Sequence, residues 1–113
     1  LVLLCLGGND FLRKRHSEET KRNLIEIIQR IQQNNSEVVL IAVPEIGIFL
    51  SDSGIYEEVA RETNVPLMQD VLSDLLSDNQ LKSDTIHLNK LGYQKLAESI
   101  HQFLHDRGAL PTL

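Results

Sequence analysis

The chain has 113 residues, a formal net charge of -5, 42% hydrophobic residues and only 4% aromatic ones. That length holds one domain with one core rather than two of ordinary size, and the apolar share excludes disorder as the general state. The acidic balance excludes a nucleic-acid partner, whose phosphates require a basic face, and no stretch reaches the roughly 18 to 20 apolar residues of a membrane span.

The chain opens on Leu1-Val2-Leu3-Leu4-Cys5-Leu6, an unbroken apolar run ended by Gly7-Gly8. Apolar on both faces, it reads as a strand buried inside a parallel sheet. Cys5, the single cysteine, reads as a small buried core residue; alone, it excludes an internal disulfide and a cysteine-based zinc site. Because the first residue is Leu1 rather than methionine and lies within a strand, further residues are expected upstream, and localisation is not legible from this end. Arg13-Lys14-Arg15 reads as a solvated surface run ahead of a helix. That helix takes Ser17 as its N-cap and Glu18 and Glu19 in its first turn. Leu24, Ile25, Ile27, Ile28 and Ile31 make one apolar stripe at helical spacing, and Asn34-Asn35 end it.

Val38 to Val43, rich in β-branched residues and closed by Pro44, is the second strand. A helix from about Ser53 to Thr63 places Ile55 with Val59, and Tyr56 with Ala60, at i, i+4 spacing. Val65-Pro66-Leu67-Met68 carries a proline and reads as an edge strand, followed by one or two helical turns around Val71-Leu72 and Leu75-Leu76. The last helix is capped by Asn89, buries Leu96, Ile100, Phe103 and Leu104, and is stopped by Gly108 and Pro111. Alternating strands and helices without repeat or linker predict an α/β fold: a three-layer α/β/α sandwich with a parallel sheet, residues 1–113 forming a single domain.

Ligands of such a sheet sit beyond the carboxyl ends of its strands, where two polar clusters map. In Gly7-Gly8-Asn9-Asp10 the glycines allow a sharp turn and close approach, and Asn9 offers an amide donor to a developing oxyanion. The competing reading is a plain turn in which Asn9 and Asp10 cap neighbouring amides. In Asp84-Thr85-Ile86-His87 a carboxylate three residues before a histidine can fix its tautomer and stabilise the imidazolium. By itself an Asp-x-x-His string is almost uninformative. His101 and His105 stand at i, i+4 on the last helix, but without a third ligand they read as a solvated face. His16 reads as solvent-facing, and Glu45 as lining either a groove or the plain surface.

An apolar strand running into Gly-Gly-Asn-Asp, with Ser83-Asp84-Thr85-Ile86-His87-Leu88-Asn89 opening the final helix and Gly92-Tyr93 within it, resembles the SGNH/GDSL hydrolase superfamily. The resemblance runs from Leu1 to about Leu104, and the thioesterase, lysophospholipase and arylesterase branch matches best. It implies a flavodoxin-like sheet order 2-1-3-4-5, with this chain's first strand as strand three. It also implies Asn9 as the side-chain oxyanion donor in a substrate loop with Gly8, His87 as general base, and Asp84 as its orienting acid. Leu88 stands where that family usually has proline.

The same resemblance places the nucleophile in a Gly-Asp-Ser motif after the first strand of the fold, and a further oxyanion glycine after the second. Neither block occurs in these 113 residues, so the chain is expected to be the C-terminal part of an SGNH domain, truncated at its N-terminus. The implied activity is cleavage of a small-molecule carboxylic ester or thioester through a serine acyl-enzyme, with no metal or organic cofactor. The chain alone is expected to be inactive. The alternative is a catalytically silent module serving only for association. A phosphate-binding role for Gly7-Gly8 lacks both a P-loop lysine and a GxGxxG pattern. With its neighbouring strand absent, Leu1–Leu6 would form an apolar edge, so a homo-oligomer or association with the missing N-terminal segment is expected.

Overall fold

A computed structural model describes residues 1–7, 17–45, 51–52 and 54–110. The described chain falls into two compact units, Leu1–Ser73 and Asp74–Leu113. The first is built on β1 (Val2–Leu4), α1 (Ser17–Gln33), β2 (Val38–Ile41), β3 (Pro44–Glu45), β4 (Ser51–Asp52), α2 (Ile55–Thr63) and β5 (Leu67–Met68). Helix α3 (Val71–Leu76) carries the chain into the second unit. There a 3₁₀ turn (Asn79–Leu81) is followed by a loop and then by α4 (Lys90–Asp106).

The main sheet has the order β1-β2-β5. β1 runs parallel to β2 with Leu4 opposite Leu40, and β2 runs parallel to β5 with Ile41 opposite Met68. A parallel sheet with helices in its connections makes the chain α/β, as its alternating pattern predicts. β2, at the centre, is buried along its whole length, which explains its continuous apolar sequence. β5 is an edge strand entered through Pro66, whose carbonyl accepts the Leu40 N–H at 2.9 Å; proline is tolerated at the entry to an edge strand.

The core of this unit gathers Leu4, Val38 and Leu40 with Leu24 and Ile28 of α1 and Tyr56 and Val59 of α2. Lys21 of α1 joins the two helices by ion pairs to Glu58 and Glu62 at 3.1 and 3.0 Å. Both helices end on an asparagine in the left-handed region, Asn35 at φ 62° and Asn64 at φ 56°. Asparagine tolerates that conformation better than most residues, and the next N–H then closes the helix end: Ser36 onto the Ile31 carbonyl, Val65 onto that of Ala60.

Several expectations need correction. Cys5 is exposed rather than a core residue. β1 lies at the end of the described sheet rather than inside it; along the strand Leu4 is buried and Leu3 is 42% exposed, and the flanking Leu1 and Leu6 are 59% and 48% exposed. The second strand stops at Ile41, and Pro44–Glu45 pairs antiparallel with Ser51–Asp52 in a separate two-stranded sheet. On α4, Leu104 is buried, but Leu96, Ile100 and Phe103 are only half-buried. The expected N-cap, Ser17, is the first helical residue, and its side chain, like His16 and the Arg13–Arg15 run, lies outside the described residues.

Candidate active site

The loop from Lys82 to Leu88 is closed at its base by an antiparallel bridge between those two residues. The Ser83 N–H donates to the His87 carbonyl at 2.9 Å, so the segment turns back on itself. Asp84 governs the turn. Its Oδ1 accepts the N–H of Ile86 at 2.9 Å and that of His87 at 2.8 Å, an Asx turn that brings the His87 side chain round to the carboxylate. The imidazole Nδ1 lies 3.0 Å from Asp84 Oδ1 and 2.9 Å from Oδ2.

These contacts fix the chemistry of the pair. The Ile86 N–H first, then the His87 imidazole, hold the Asp84 carboxyl below the usual carboxylate range. With Asp84 ionised, Nδ1 must carry the proton to bond it, which leaves the lone pair on Nε2, on the ring edge turned away from Asp84. Both side chains are more than half exposed, so solvent screens their attraction and the pair adds little to stability. Its geometry is that of an oriented base. The nearby serine does not serve the ring: Ser83 Oγ bonds the His87 and Leu88 carbonyls at 3.4 Å.

The loop is joined to α4 through residues whose full role no sequence pattern revealed. Asn89 caps the helix as expected, its Oδ1 accepting the Gly92 N–H at 2.9 Å. Its Nδ2 also donates to the Gln80 carbonyl at 2.8 Å, and its own N–H to the Leu81 carbonyl at 2.9 Å. Gly92 is required by close approach: a Cβ there would run into the Leu81 carbonyl oxygen and stand 2.9 Å from Leu88 Cβ.

The other predicted site residues, Gly8 and Asn9, lie outside the described residues, as does Asp10. The strand end that leads to them is described. Gly7 has φ 118°, and a Cβ on it would collide with the Tyr56 hydroxyl. That hydroxyl, on a fully buried ring, donates to the Leu6 carbonyl at 2.7 Å. Glu45 is exposed in the β3–β4 ladder, and His101 and His105 are exposed on α4. Among the described residues no group of three or more His, Cys, Asp or Glu side chains is placed to hold a metal ion.

A family model described as the GDSL-like lipase/acylhydrolase family matches residues 1–95, a span that includes Gly8, Asn9, Asp84 and His87. The chain belongs to that family. As a family member it is 32% identical over 95 residues to thioesterase 1/protease 1/lysophospholipase L1 of Escherichia coli strain K12, an alignment covering 79% of this chain and 46% of that protein. The chain thus spans about half the length of the curated relatives it matches. Among solved structures, a psychrotrophic esterase, EstA of Pseudoalteromonas sp., superposes with a TM-score of 0.75 at 23% identity, over 91% of this chain and 62% of that one. The SGNH-hydrolase family esterase AlinE4 gives 0.64 at 23% identity, over 99% and 61%. At these identities the superpositions show the fold: this GDSL-family chain has the fold of SGNH hydrolases.

Proposed function

We propose that this chain supplies the base, its orienting acid and one oxyanion donor of a serine esterase acting on small-molecule carboxylic esters or thioesters. In this reading a serine from outside these 113 residues attacks the carbonyl carbon, and His87 Nε2 takes its proton. Asn9, in the loop with Gly8, donates its side-chain amide to the oxyanion. The imidazolium, stabilised by Asp84, returns the proton to the leaving alkoxide or thiolate. Water then cleaves the acyl-enzyme by the same steps in reverse. The observation that carries the reading is the engagement of His87 Nδ1 by both Asp84 oxygens, which leaves Nε2 as the basic atom.

Hydrolysis of p-nitrophenyl esters tests it. With a Gly-Asp-Ser segment present, His87→Ala and Asp84→Ala are expected to abolish most turnover, and Asn9→Ala to lower it about 10²- to 10³-fold. Undiminished turnover in His87→Ala refutes the assignment. The 113 residues alone are expected to be inactive, since removal of a nucleophilic serine costs on the order of 10⁶ in turnover.

A second reading, a silent module used only for association, is favoured by β1, where exposed Leu1, Leu3 and Leu6 mark the edge of the sheet. Two such edges pair antiparallel across a two-fold axis in a homodimer. Sedimentation as a monomer at micromolar concentration removes this reading.

A further inference from the structure

A helix cap needs one acceptor. Asn89 Oδ1 provides it to the Gly92 N–H, and serine or aspartate would do the same. Asn89 does more than that. Its Nδ2 donates to the Gln80 carbonyl at 2.8 Å and its backbone N–H to the Leu81 carbonyl at 2.9 Å. The two demands agree on the orientation of the amide, oxygen toward the N–H of Gly92 and nitrogen toward the carbonyl of Gln80. Gln80 and Leu81 close the 3₁₀ turn that enters the Asp84–His87 loop, and Asn89 is the first residue after that loop. One residue therefore ties the exit of the loop to its entrance.

We propose that Asn89 is a positioning residue for His87, acting through the Lys82–Leu88 loop that its side-chain amide clamps shut, in addition to capping α4. The inference rests on His87 being the base. Between the clamped ends, the Ser83 N–H to His87 carbonyl bond and the Asp84 Asx turn fix the backbone from which the imidazole projects. A loop released at Asn89 keeps the same residues but spreads the ring over more positions, and misplacement of a base lowers turnover before it affects binding.

Capping and clamping separate by substitution. Asn89→Ser and Asn89→Asp keep an acceptor for the Gly92 N–H and lose the donor to Gln80; Asn89→Ala loses both. In the 113-residue chain, amide exchange and carboxyl titration are followed by NMR. In Asn89→Ser, the Gly92 amide is expected to stay protected while the Ser83 amide exchanges about tenfold faster, the loss of one ordinary hydrogen bond. The Asp84 titration midpoint is expected to rise toward the usual carboxylate range. Asn89→Asp adds a charge that itself raises Asp84, so for that variant only the exchange rates are read. In the protein with its nucleophile, Asn89→Ser is expected to lower kcat about tenfold with KM little changed.

The proposal is overturned if Asn89→Ser and Asn89→Asp match the native chain and only Asn89→Ala departs from it, because Asn89 then only caps. It is equally overturned if Gly92 and Ser83 lose protection together in all three variants. Failure of the His87 reading is seen separately, as native turnover in His87→Ala, and leaves the exchange result standing as a measure of the clamp.

Discussion

Gly92→Ala inverts an ordinary rule of helix engineering. Replacing a helical glycine by alanine usually stabilises by about 0.5–1 kcal/mol, because alanine has less freedom to lose. At position 92 the added methyl would meet the Leu81 carbonyl oxygen, with the Leu81 carbonyl carbon at 3.1 Å and Leu88 Cβ at 2.9 Å. The obstacle is backbone, so no rotamer change relieves it, and either the 3₁₀ turn or the first turn of α4 has to shift. Overpacking of this kind costs about 1–3 kcal/mol. The displaced Leu81 carbonyl also accepts the Asn89 N–H, and weakening that bond adds about 1 kcal/mol. Set against the usual gain of at most ~1 kcal/mol, the net expectation is a destabilisation of about 1–3 kcal/mol. With a urea dependence of about 1–3 kcal/mol per molar, the unfolding midpoint should fall by roughly 1 M. Gly54→Ala is the control, since nothing lies within 4 Å of a Cβ there; it should stay within about 0.5 kcal/mol of the native chain. A Gly92→Ala variant as stable as the native chain, or as mildly affected as Gly54→Ala, refutes the reasoning.

Two further outcomes are expected. The Asp84 carboxyl is depressed in the folded chain, so its contribution to loop order is present above its unfolded pKa and lost as pH falls through the lower folded value. The Asp84 side-chain carboxyl carbon resonance should therefore titrate only below the usual carboxylate range; a midpoint within or above that range contradicts the assignment. Tyr56→Phe removes the donor to the Leu6 carbonyl without changing the shape of the core, and should cost about 1–2 kcal/mol in urea unfolding, with the largest shift at the Gly7 amide. Unchanged stability would show that the hydroxyl does not hold the strand end.

How much of this was legible depended on the range of the interaction that decides each feature. α1 is specified by local pattern and stop signals and forms where they place it, while β2 starts with its apolar run but stops at Ile41, before the proline expected to close it. Asn89 was legible as a cap because capping is written within three residues. Its bond to Gln80 was not, because a backbone carbonyl accepts whatever residue carries it. Asp84 and His87 meet as their spacing proposed, yet the two backbone N–H bonds that shape the turn leave no mark beyond the aspartate itself. Cys5 was misplaced because an apolar run looks alike in a central strand and at a sheet edge. The β3–β4 pair was missed because two-residue strands have no period to detect. Tyr56 reaches Leu6 across 50 positions, and nothing local marks that partnership.

The two ends of the sheet are chemically unequal. β5 is two residues long, so its open side offers little backbone to a strand approaching from there. β1 is three residues long, and its Leu3 and the preceding Leu1 are exposed. Growth of this sheet therefore has a direction. A peptide offered in trans is expected to add at β1 sooner than at β5.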